Sequence, residues 1–156
     1  MKWINHMLVT GSIVYAVTAD PLLAVYSIAG SVIPDKLEGK PPKTKKAYWR
    51  WRQKHRTWTH WPVPYLSLIV LILLLRRFGL IEPSLWPLVL IPLFILTGAL
   101  LHIVEDALCG KVPLISHNKK IGLKIFTVDS FGEYFFSISL IIILLLYRGC
   151  SYILNN

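Results

Sequence analysis

Apolar residues run along this chain in blocks, not as the 3.6-residue stripe of a surface helix or the alternation of a half-buried strand. Five blocks stand out, over about residues 4–19, 21–34, 62–78, 85–108 and 131–152. A helix needs about 20 apolar residues to cross a bilayer, so the later blocks read as membrane segments and the first two as short for a full crossing. Asp20-Pro21 separates those two. An Asp is a good N-cap and Pro suits the first position of a helix, which predicts two short antiparallel helices turning at Asp20. One long helix kinked at Pro21 is the alternative, since membrane helices tolerate Pro.

The second block closes at Pro34-Asp35. Residues 36–56 form a basic linker with Gly39, Pro41 and Pro42, and its later half sets Tyr48, Trp49 and Trp51 among cations. That mixture suits a helix lying on lipid headgroups. No internal repeat or low-complexity tract interrupts the pattern. The expectation is an all-α chain: one integral membrane domain over residues 1–156, built as a polytopic bundle of four to five segments with a polar, metal-type site at its cytoplasmic face.

Composition sharpens this. The chain is 54% hydrophobic and 16% charged, with a mean hydropathy of +0.55. A soluble domain carries roughly a quarter charged residues, so that class is excluded. Net charge is +9, and with Lys2 inside, the five-segment layout places 14 of the 17 basic residues on one side. The positive-inside rule makes that side cytoplasmic. Beside membrane segments, the basic cluster fits anionic lipid headgroups better than nucleic acid, so the expected partners are the bilayer and an amphipathic small-molecule substrate. Oligomeric state is left open. Cys109 and Cys150 should lie at opposite faces as unpaired residues, and no separable signal peptide is evident.

The same layout gathers chemistry. All five histidines (His6, His55, His60, His102 and His117) fall near segment ends on the cytoplasmic side, with Asp35, Glu38, Glu105, Asp106, Asp129 and Glu133. Imidazoles and carboxylates are costly at lipid depth, so one shared layer suggests one polar site. His102 and Asp106, four apart, share a helix face one turn apart; such a nitrogen–carboxylate pair suits zinc or a harder divalent ion, or equally a structural hydrogen bond between helices. In His55-Arg56-Thr57-Trp58-Thr59-His60, His60 is the better ligand and Arg56 offers a fork for a phosphate or carboxylate. His6 and Asp35 lie at the same level if the first two blocks are separate helices. Asp129 and Glu133 open the last segment, where capping is the plain role, although Glu133 is deep enough to act as a base. His117, in a polar loop, is not expected to be a ligand.

Taken together these pieces resemble the LexA-regulated, inner-membrane-associated metal-dependent hydrolases: His6, Pro34-Asp35, His55-Arg56-Thr57-Trp58-Thr59-His60, Gly98 with His102 and Asp106, Gly110-Lys111-Val112-Pro113, Lys120 to Phe126, and Ser130-Phe131-Gly132-Glu133. The resemblance covers roughly residues 5–135. The chain departs from it in a long basic insert between Asp35 and His55, and in Ala107-Leu108-Cys109 after the Asp106 turn, where Cys109 becomes an extra candidate. The resemblance implies a multi-pass protein of the bacterial inner membrane with a divalent-metal site, distantly similar to zinc-dependent phospholipase C. The expected function is hydrolysis of a phosphate or other ester of an amphipathic substrate. One or two zinc-like ions are expected on His6, Asp35, His60, His102 and Asp106, with His55 a ligand or a support behind one. Arg56 and the Lys-rich linker would hold the anionic head, and Asp35 or Glu133 would serve as base. A divalent-cation transporter and a non-catalytic assembly protein are the rivals; the aliphatic middles of the third and fifth segments argue against transport, which needs a polar path.

Overall fold

A computed structural model describes residues 1–116 and 119–154 of the chain. His117 lies outside the described residues. The order of elements is α1 (Trp3–Thr18), α2 (Pro21–Gly30), α3 (Ile33–Glu38), α4 (Lys45–Lys54), α5 (Pro62–Arg77), α6 (Trp86–Cys109), β1 (Val112–Pro113), β2 (Lys120–Ile121) and α7 (Phe131–Leu154). The chain is thus mostly helical, and β1 and β2 form a small antiparallel hairpin with Val112 opposite Ile121.

Local chemistry sets the breaks. Ala19 ends α1 in the left-handed region (φ 59°), and the Asp20 side chain accepts from the backbone N–H groups of Leu22 and Leu23 while Pro21 takes the first helical position. The first two blocks are therefore two helices, not one kinked rod. The second block also divides. The chain turns at Ser31–Val32, and α3 restarts with Pro34 in its first turn. That short helix presents Asp35 and Glu38 three residues apart on one face. A 3₁₀ turn, Trp58–His60, leads into α5, whose end coincides with Arg76 and Arg77.

Packing is centred on α6, which contacts α1, α2, α3 and α5, while α7 packs on α1. Two glycines permit the tightest crossing. A Cβ on Gly30 would lie 2.0 Å from the Ile95 carbonyl oxygen, and one on Gly98 would lie 2.0 Å from that of Ser27. Small residues at such a crossing let helix backbones approach closely, the usual route to helix association in lipid. The buried residues of α6 all lie in its C-terminal half: Gly98, Ala99, His102, Ile103, Glu105, Asp106 and Cys109.

The outer surface is oily. No residue of α5 is buried, and in α7 only Glu133 and Ser137 are. Among the described residues two helices are long and apolar enough to cross a membrane: Pro83–Cys109, with 27 residues and mean hydropathy 2.3, and Phe131–Leu154, with 24 residues and 1.9. At 1.5 Å per residue these exceed the ~30 Å of bilayer hydrocarbon. By contrast α1 and α5 have 16 residues each and α2 has 10. Cys109 is buried and Cys150 exposed, both as free thiols.

Candidate metal centre

The start of α1, the whole of α3, the turn before α5 and the last turns of α6 meet at one end of the bundle. There the buried side chains include many polar ones: His6, Asn5, Thr10, His60, His102, Glu105, Asp106 and Glu133. Asp35, His60, His102 and Asp106 each offer one ligand atom, and these atoms all lie within 4.8 Å of one another. His60 Nε2 is 3.2 Å from His102 Nε2, 3.3 Å from Asp35 Oδ1 and 3.3 Å from Asp106 Oδ2. His102 Nε2 stands 3.7 Å from each of the same two carboxylate oxygens. Ligands held ~2.0–2.2 Å from a tetrahedral ion are separated from one another by roughly 3.3–3.6 Å. The donor set and its spacing therefore fit a divalent ion of the zinc type.

The ring orientations support the fit. His60 Nδ1 is held by Thr59 Oγ1 at 3.0 Å and Glu38 Oε1 at 3.2 Å, which leaves Nε2 for the cluster. His6 Nδ1 is held by Glu105 Oε2 at 2.5 Å, and Thr10 Oγ1 donates to the other Glu105 oxygen at 2.9 Å. His6 Nε2 then faces Asp106 Oδ1 at 3.3 Å, without hydrogen-bond geometry, and has no hydrogen-bond partner. A buried imidazole fixed by a carboxylate on one nitrogen and bare on the other is the arrangement metal-ligating histidines adopt. The His6 and His102 rings stack at 3.9 Å between centroids. His102 Nδ1 also lacks a partner.

Asp106 is the most heavily engaged group. Arg56 pairs with it, Nη2 donating to Oδ1 at 2.8 Å and Nε lying 2.7 Å from Oδ2 without hydrogen-bond geometry, and the Met1 amino group donates to Oδ1 at 2.7 Å. Arg56 has φ 55°, a conformation non-glycine residues rarely adopt. Its backbone N–H donates to Glu38 Oε1, and Glu38 also pairs with His55 Nδ1. Electrostatics follow from this crowding. Burial alone would lower the His60 pKa, but hydrogen bonds to the carboxylates of Asp106, Asp35 and Glu38 raise it to about 10. Burial would raise the pKa of Asp35 and Glu38; instead His102 and His60 hold Asp35, and His55 and His60 hold Glu38, well below the usual carboxylate range.

Of the candidates from sequence, Asp35, His60, His102 and Asp106 come together, with His6 adjoining through Asp106. His55 stands behind Glu38, stacked on Trp51 at 4.5 Å between centroids. Arg56 does hold a carboxylate, that of Asp106. Glu133 accepts from the backbone N–H of Lys2 at 2.7 Å, from that of Asp129 at 2.7 Å and from Asn5 Nδ2, and so ties α1 to the start of α7. Glu38 and Glu105, the carboxylates that orient His60 and His6, belonged to the expected polar layer but were given no ligand or supporting role. Their spacing carried the signal: Glu38 is three residues after Asp35, and Glu105 three after His102.

Beside the cluster a cavity of about 450 Å³ opens on Asp35, between α3 and the end of α4. Asp35 is the least enclosed of the four, its side chain 17% exposed against 2% or less for the other three.

Fold and site define a mostly helical protein with two helices able to cross a membrane and a buried His/Asp cluster at one end of the bundle. A family model described as YdjM inner membrane protein matches residues 1–154, and the chain belongs to that family. Comparison with curated proteins and with solved structures found no match, and no match carries the likeness to phospholipase C.

Proposed function

We propose that this protein is a metal-dependent hydrolase of a phosphate or other ester in an amphipathic substrate, working at the cytoplasmic face of the inner membrane. The observation that carries the reading is the convergence of Asp35, His60, His102 and Asp106 beside the bare Nε2 of His6. Those residues would hold one zinc-like ion, or two with His6 added to the set. When bound, such an ion lowers the pKa of a coordinated water to about 7 and polarises an ester oxygen.

The chain's own groups have distinct parts. Glu38 and Glu105 orient His60 and His6, and Arg56 fixes Asp106. Asp35 stands on the open side, held by the Trp3 indole N–H at 2.7 Å, and is the carboxylate placed to accept a proton from an attacking water. Glu133, spent on three donors near α7, braces the site instead. In the proposed topology α1 and α2 form a hairpin from the inner face, α5 crosses outward, α6 returns and α7 exits. The 36–56 linker and the paired β1 and β2 then face the cytoplasm, with α4 lying on headgroups. Transport finds less support, since Thr97 in the middle of α6 bonds its own helix at Leu93.

The test is hydrolysis of chromogenic phosphomonoesters, phosphodiesters and carboxylic esters by the detergent-purified full chain. Activity lost to a chelator, restored by a divalent ion and absent in His102→Ala is expected. Metal-loaded protein that cleaves none of them, or cleaves them equally with chelator, would overturn the reading.

A further inference from the structure

We infer that the cavity beside Asp35 is a binding site for a single-chain amphiphile with an anionic head, with Lys36 and Lys40 taking the head and Trp3 and Trp51 lining the chain. This rests on the hydrolase reading for its meaning, and on separate observations for its content. The cavity is about 450 Å³, within the range of roughly 300–1,000 Å³ typical of small-ligand sites, and Trp3, Pro41 and Trp51 supply apolar wall. Both indoles are anchored to site residues, Trp3 through its N–H to Asp35 and Trp51 by stacking on His55. Leu37, 66% exposed, and Trp49, 53% exposed, are apolar neighbours in sequence of the lining residues Lys36, Glu38 and Trp51.

Charge decides the head. The two carboxylates at the cavity floor are already engaged: Asp35 by Trp3 and His60, Glu38 by His55, Thr59, His60 and the Arg56 N–H. Lys36 and Lys40 line the same cavity and enter none of the described ion pairs. Two ammonium groups beside an apolar slot complement a phosphate or similar anion at the end of a chain.

The experiment uses the full chain in neutral phosphatidylcholine nanodiscs and dodecyl phosphate bearing a diazirine at its chain end, with labelled residues mapped by peptide mass spectrometry. Labelling at Trp3 and within residues 36–51, displaced by unlabelled dodecyl phosphate but not by dodecanol or inorganic phosphate, is expected. Lys36→Ala/Lys40→Ala should need at least tenfold more dodecyl phosphate for the same displacement, at unchanged metal content. Labelling confined to α5 and α7, or displacement by dodecanol or by free phosphate as effective as by dodecyl phosphate, would overturn the inference. The assay needs no turnover, so labelled protein without hydrolysis sinks the hydrolase reading alone, and chelator-sensitive hydrolysis without labelling sinks this inference alone.

Discussion

At the scale of single residues, the site is built from pairs in which one side chain presents and another holds. Glu105 holds His6 so that its Nε2 faces Asp106, and removing such a support weakens metal binding by 10- to 100-fold. Glu105→Gln should therefore lower metal affinity at least about tenfold in a chelator-competition assay; unchanged affinity would place His6 outside the ligand set. Arg56 is a second holder, because the buried Asp106 carboxylate relies on its guanidinium. Arg56→Ala leaves that charge poorly compensated and should cost about 3 kcal/mol in denaturant unfolding. Arg56→Lys, which keeps the charge but loses the guanidinium geometry, should recover only part of it.

At the scale of elements, the α2–α6 crossing sets where the cluster sits, since α2 leads into α3 with Asp35 while α6 carries His102 and Asp106. Gly98→Leu would drive a side chain into the Ser27 carbonyl and push these helices apart. Overpacking costs about 1–3 kcal/mol or more, so the variant should melt earlier and lose metal together; a variant that melts normally and keeps its metal would show that the crossing does not govern the site. Element positions were largely legible in the sequence because local chemistry marks them. Asp20-Pro21 stops and restarts a helix, Arg76-Arg77 ends one, and the blocks at 62–78, 85–108 and 131–152 correspond to Pro62–Arg77, Trp86–Cys109 and Phe131–Leu154. The turn at Ser31–Val32 was not legible, because the apolar block runs through it unbroken. With the start of α3 hidden in the end of that block, Glu38 could be placed in the polar layer but not recognised as the support of His60. Two-residue strands such as β1 and β2 are too short for any periodicity. The site residues Asp35, His60, His102 and Asp106 could be singled out because charged groups at the ends of oily segments are costly there and point to a shared purpose.

At the scale of the whole molecule, the bundle is polar at one end and oily along its flanks, the reverse of a soluble protein's arrangement. The basic linker and the paired β1 and β2 border the polar end, which the proposed topology turns to the cytoplasm. A reporter fused after Asn156 should read periplasmic, and one inserted near Gly39 cytoplasmic; a cytoplasmic signal from the first would contradict the five-segment topology. The central claim is that the convergent His/Asp cluster holds a metal. Inductively coupled plasma mass spectrometry of the detergent-purified chain, beside His60→Ala/His102→Ala, tests it most directly. Stoichiometric zinc, manganese or another divalent metal in the native protein, lost in the double variant, is the predicted result. No bound metal, even after incubation with divalent ions, would contradict it and leave the histidines and carboxylates as structural pairs holding the helices together.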